Sequence, residues 1–131
     1  MRVLVVDDSR AMRQYVRGVL KDIVNLQIEE VASGFEAFKV LARESFDVVV
    51  TDINMPDING LDLVRYLKKT ERHADTRIVI ITTQAAERTR EKLLGLGVDR
   101  FVSKPFEPDD ITTLIADMLS EDAADDTVDG T

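Results

Sequence analysis

No cysteine occurs anywhere in the chain, which excludes disulfides and thiolate chemistry. A structural zinc site is normally built from cysteine and histidine, and a single histidine, His73, is too little for one. Tryptophan is also missing, and aromatic residues make up only 5% of the chain. Apolar runs are short. None approaches the roughly 20 residues that span a bilayer, and the N-terminal run Val3–Val6 is too short for a signal segment and ends in two acids. A cytoplasmic protein with no membrane contact is expected. Surplus positive charge is lacking too: the net charge is −8, five acids and no base fall within the last twelve residues, and without those acids the charge is −3. The body of the chain therefore offers no basic footprint for nucleic acid.

What remains is one domain's worth of alternating patterns in 131 residues. Val3–Val6, Val48–Val50 and Ile78–Ile81 are continuous apolar, β-branched-rich runs, the pattern of strands buried on both faces. Leu26–Ala32 alternates weakly around Glu29 and Glu30, and Phe101-Val102 marks a short fifth strand. Helical spacing fills the gaps. Ser9 reads as an N-cap before Met12, Val16, Val19, Leu20 and Ile23, with Arg10, Arg13 and Arg17 on the polar face. Ser33-Gly34-Phe35-Glu36 has the form of a capping box; the helix it opens should run to about Glu44 and turn Phe35, Phe38, Leu41 and Ala42 to the core.

Pro56 and Gly60 break the chain after the third strand into a surface loop. Asn59 can cap a third helix that buries Leu63, Val64 and Leu67, with Leu61 and Tyr66 at the edges and Lys68 and Lys69 in solvent. From Gln84 to Leu96 only Leu93, Leu94 and Leu96 form an apolar face, so the fourth helix should dock loosely before Gly97 ends it. Arg88, Arg90 and Lys92 read as its solvated face. Pro108, Asp109 and Asp110 open a fifth helix carrying Ile111, Leu114, Ile115, Met118 and Leu119. His73, in the polar run 70–75, reads as a solvated loop residue. Alternation of this kind calls for an α/β fold, (βα)5, a doubly wound parallel five-stranded sheet with helices on both faces. Residues 1–120 form the domain and 121–131 an acidic, disordered tail or linker.

All strand C-termini in such a sheet share one edge, where open α/β sheets bind ligands. Asp7 and Asp8, Asp52, Thr82 and Lys104 follow four of the strands, while the second strand contributes nothing comparable. Gathering three carboxylates beside one ammonium needs a cation. Magnesium suits oxygen ligands and leaves positions for phosphate oxygens, with manganese as a substitute. Asp52 can then be a nucleophile toward a phosphoryl group, and no general base is required because carboxylates are normally ionised at neutral pH.

These residues carry a family likeness. VLVVDDS at 3–9, DVVVTDINMPDING at 47–60, IVIITT at 78–83 and FVSKPF at 101–106 are similar to the motifs of the receiver domain of two-component response regulators. The chain resembles that domain, of the single-domain chemotaxis (CheY-like) type, from Arg2 to about Leu119. The resemblance implies the flavodoxin-like strand order 2-1-3-4-5. It implies phosphorylation of Asp52 by a histidine kinase, a phosphotransfer protein or a small acyl phosphate. Asp7, Asp8, Asp52 and the Asn54 backbone carbonyl would hold Mg2+, Lys104 would pair with the phosphoryl group, and the bond to Pro105 would be cis. Thr82 and Phe101 would act as the switch, changing the surface of the fourth helix, fifth strand and fifth helix where a protein target docks.

Asn54 and Gln84 would flank the approach of the attacking water and set a slow autodephosphorylation, with Thr83 a further modulator of the phosphate site. The chain departs from the family at Thr83, usually Ala or Gly, and at Phe101, frequently Tyr. Thr83 narrows access to the phosphate, and Phe101 lacks the hydroxyl that reports the active state. A monomer or weak phosphorylation-dependent dimer is implied, with no catalysis beyond its own phosphorylation and dephosphorylation. Two alternatives stand: a receiver module of a larger regulator or kinase, or a phosphatase of the haloacid dehalogenase type. The latter would place a second acid where this chain has Asn54.

Overall fold

In the computed structural model, strands β1 (Arg2–Val6), β2 (Gln27–Val31), β3 (Val48–Asp52), β4 (Arg77–Thr83) and β5 (Arg100–Lys104) alternate with helices α1 (Arg10–Leu20), α2 (Gly34–Leu41), α3 (Gly60–Lys69), α4 (Glu87–Leu96) and α5 (109–118). The structure describes residues 1–23, 25–53, 60–83, 87–104, 107 and 109–118, and of 82, 83, 87–90, 103 and 104 only the backbone. The strands pair in parallel in the order β2-β1-β3-β4-β5, as the resemblance implies. Their continuous apolar runs have a simple cause. β1 and β3 lie inside the sheet with helices on both faces, so every residue of β3 is buried. β2 is an edge strand with partly exposed Glu29 and Glu30, which accounts for its weak alternation.

Two core layers result. Leu4, Val6, Val49, Ile78 and Ile80 meet α2, α3 and α4 on one face, while Val3, Val5, Val50, Val79 and Ile81 meet α1 and α5 on the other. In α3 the inward residues are Leu63, Val64 and Leu67, with Leu61 and Tyr66 half-buried at the edges as the pattern requires. Two helices turn differently from their expected phase. In α2 the buried residues are Gly34, Ala37, Val40 and Leu41, whereas Phe35 is 60% exposed and Ala42, the C-cap, is exposed. The cap at Ser33 sets that phase: Glu36 N–H donates to Ser33 Oγ at 3.1 Å, and Ala32 N–H donates to Glu36 Oε2 at 2.8 Å. Helical geometry then overrides side-chain size, and small Ala37 goes inside in place of Phe35. In α4, Leu93 is buried but its neighbour Leu94 is 54% exposed. The chain leaves α4 by a left-handed Gly97 (φ 96°), with Gly97 N–H to Leu94 O and Val98 N–H to Leu93 O, the pairing expected of a glycine-terminated helix.

His73 is not a solvated loop residue. It is 1% exposed, in a 3-10 turn over Glu71–His73, with Nε2 2.8 Å from Leu41 O. A carbonyl only accepts, so Nε2 carries the hydrogen. Arg72 Nη1 donates to the next carbonyl, Ala42 O. These are carbonyls at the C-terminus of α2, which have no partner within their own helix, so two adjacent residues of a distant turn cap it. The polar neighbours of His73 in sequence point outward while its ring packs 5.8 Å from the Tyr66 ring. Removing that ring should empty a buried site and strand a carbonyl: His73→Ala is expected to lose about 2–4 kcal/mol in urea unfolding. Arg72→Ala, at an exposed position, should lose less than about 1 kcal/mol.

Candidate functional site

Register brings the acids together. β1 and β3 pair up to Val6 and Thr51, so Asp7 and Asp52 are the next residues along two adjacent strands. Both lie where the apolar layers end, and they are 2% and 7% exposed, with Asp8 exposed beside them. One carboxylate oxygen from each of the three lies within 4.8 Å of the others. The turn that follows β1 is fixed locally. Asp7 Oδ1 accepts from Ser9 N–H at 2.9 Å, and Ser9 Oγ accepts from Met12 N–H at 3.2 Å, so the acidic turn runs directly into the N-terminus of α1. The positive end of that helix therefore sits next to the acids.

The arginines of α1 are more than a polar face. Arg13 Nη1 donates to Asp7 O at 2.7 Å, and its Nε lies 3.5 Å from Glu30 Oε1. Arg17 holds the other oxygen of Glu30 and also donates to Ile28 O at 3.0 Å. Strand β2 places no side chain in the acidic cluster, but its Glu30 braces Arg13 and Arg17 beside it. The spacing of Arg13 and Arg17 suggested solvent exposure, and only the position of β2 beside α1 reveals the contacts.

A donor set of three carboxylates, two of them buried and all oxygen, fits a hard divalent cation such as Mg2+. The residues that would hold it are Asp7, Asp8 and Asp52. The third strand ends on a close approach. Gly60 N–H donates to Ile53 O at 3.0 Å, and a Cβ on Gly60 would come within 2.8 Å of Ile53 Cα and 3.2 Å of Asp52 O. This glycine is required because backbone passes backbone there, which ties the end of β3 to the start of α3.

On the other side of Asp52, which pairs with Ile81, the backbone of Thr82 comes one residue later, and β4 pairs with β5 at Thr82↔Ser103 and Thr83↔Lys104. The backbones of Thr82, Thr83 and Lys104 therefore share the edge with the acids; their side chains, and Asn54, Gln84 and Pro105 altogether, lie outside the described residues. Phe101 is half-buried against the layer formed by α2, α3 and α4. It also lines a groove of about 600 Å3 between β5 and α5, together with Arg100, Val102, Asp109, Thr113 and Asp117. Lys92 of α4 is exposed as expected. Among the described residues no helix is long and apolar enough to cross a membrane.

The family model of the response regulator receiver domain matches residues 3–116. A chemotaxis protein CheY homolog of Campylobacter jejuni is 33% identical over 120 residues, covering 91% of this chain and 92% of that protein. Chemotaxis protein CheY1 of Helicobacter pylori is 37% identical over 109 residues, 82% of this chain and 88% of the relative. Among solved structures, the chemotaxis response regulator CheY4 of Vibrio cholerae superposes with a TM-score of 0.80 at 30% identity, over 88% of this chain and 95% of that one. The receiver domain of a putative Luxo repressor protein from Vibrio parahaemolyticus gives 0.86 at 25% identity, over 99% and 98%.

The tight passage at Gly60 can be tested on its own. Gly60→Ala should force Ile53 and Asp52 apart from α3 and cost about 1–3 kcal/mol in urea unfolding. The largest amide chemical-shift changes should fall at Asp52 and Ile53; a neutral substitution would show that the segment yields at no cost.

Proposed function

The chain belongs to the response regulator receiver domain family, which makes it a two-component signalling protein of CheY type, and on that premise we propose that Asp52 is its phosphoacceptor. The observation that carries the proposal is the buried Asp52 within reach of Asp7 and Asp8 at the C-terminal edge of the sheet. In the transfer, an Asp52 carboxylate oxygen attacks phosphorus in line with the leaving group. The P–N bond of a kinase phosphohistidine, or the P–O bond of an acyl phosphate, breaks, and its electron pair leaves with the imidazole or carboxylate. Mg2+, when bound, supplies positive charge against the phosphoryl oxygens.

Around Asp52 each residue has an assigned task. Asp7, Asp8 and the Asn54 carbonyl complete the cation site, and Lys104 pairs with the transferred group. Thr82 hydrogen-bonds it, and Phe101 turns inward in response, so phosphorylation biases a two-state element and alters the α4-β5-α5 surface. That surface receives the protein target of a cytoplasmic switch; relatives bearing chemotaxis names make a chemotaxis-type partner the first to try. Asn54 and Gln84 flank the path of the water that later cleaves the acyl phosphate, and Thr83 narrows access to it.

Incubation with Mg2+ and acetyl phosphate should add a single phosphoryl group by intact mass, and chelation of the metal or Asp52→Asn should abolish it. Steady turnover of phosphoesters would instead support a phosphatase. Substitutions at Asn54 or Gln84 should change the lifetime of the adduct, followed by its decay after removal of the donor; an unchanged lifetime would remove these residues from the hydrolysis step.

A further inference from the structure

Arg13 lies one helical turn beyond the Ser9 cap, and its side chain is only 15% exposed. Its guanidinium spans two elements. One end lies 3.5 Å from Glu30 Oε1 on β2, and the other donates to the Asp7 carbonyl at 2.7 Å. Glu30 is itself held in place: its backbone pairs with Val5 of β1, and its second oxygen is taken by Arg17. The Asp7 carbonyl belongs to the planar peptide that joins Asp7 to Asp8. A donor fixed on that oxygen sets the plane from which Asp8 departs. Asp7 is held at two further points, its N–H on Val31 O at 3.2 Å and its Oδ1 under Ser9 N–H at 2.9 Å. Asp8, the exposed acid of the cluster, gains its direction through that peptide.

We propose that Arg13, braced by Glu30, is a positioning residue for the cation site, holding the Asp7–Asp8 peptide so that Asp8 enters the cluster already aligned. The proposal rests on the reading of Asp7, Asp8 and Asp52 as metal ligands. Its consequence has a sign opposite to simple electrostatics. A guanidinium near a cation site repels the cation, so removing it by charge alone should tighten binding. Loss of positioning should weaken it.

The test is Mn2+ titration of the whole protein, with free Mn2+ read by electron paramagnetic resonance. Arg13→Met keeps the aliphatic stem and removes charge and donors; the expected result is roughly 10-fold weaker binding, the scale of losses when a group that orients a ligand is removed. Arg13→Lys, which keeps a donor for the carbonyl, should recover part of that loss. Arg10→Met removes the same charge from an exposed position three residues earlier and should bind Mn2+ as tightly as the parent or more tightly. Amide signals of Asp8 and Ser9 should shift in Arg13→Met while those of β3 stay. If Arg13→Met does not fold, Arg13→Gln, too short to reach from Glu30 to Asp7, is expected to show the same loss. Equal or tighter Mn2+ binding in the Arg13 variants overturns the positioning role alone; no Mn2+ binding by the parent overturns the metal-site reading and the proposal with it.

Discussion

The rest of the structure depends on keeping Asp7, Asp8 and Asp52 together at one sheet edge, with two of the three buried. Like charges in a poorly screened place repel, and an ordinary core would not gather them. Parallel strand pairing makes the arrangement possible. In a doubly wound sheet the apolar part of each strand is enclosed by helices, and the chain must leave the core at the C-terminal end, so acids placed just after adjacent strands meet without lying inside the apolar layers. A divalent cation would supply the positive charge that the three carboxylates call for.

Much of the surrounding detail holds that edge still. The Ser9 cap ties the acidic turn to α1, the Arg13–Glu30 pair ties it to β2, and the contact of Gly60 with Ile53 ties the end of β3 to the start of α3. At the opposite end of the sheet His73 and Arg72 close the C-terminus of α2, which anchors the helix layer that Phe101 packs against. The proposed output face, α4, β5 and α5, lies on the other side of β3 from the Asp7–Asp8 turn, so a charge event at the acids would have to be read at a distance. The loosely amphipathic α4, with Leu94 outside and Leu93 inside, belongs to that second part.

Patterns along the chain were enough for the strands, the helices, the capping residues Ser9 and Ser33 and the acids at the edge, because each depends on local spacing: period two or continuous apolar runs for strands, period 3.6 for helices, and an oxygen before the first turn for caps. The parallel pairing followed from the alternation of strands and helices, while the order β2-β1-β3-β4-β5 was implied by the resemblance to receiver domains. The residues that were misread are those whose surroundings come from elsewhere in the chain. Phe35 looked like core by size, but the phase set at Ser33 sends it outward; His73 looked solvated among polar neighbours, but α2 lies over it. Arg13 looked like surface charge until β2 placed Glu30 against it. Gly60 could be read as a loop glycine, though not as the point where two backbones touch. Sequence by itself determined which elements form and which acids reach the edge, since both follow from spacing along one chain; tertiary structure alone decided what caps α2, what steadies the Asp7–Asp8 turn and that His73 is buried, since those contacts join residues far apart in sequence.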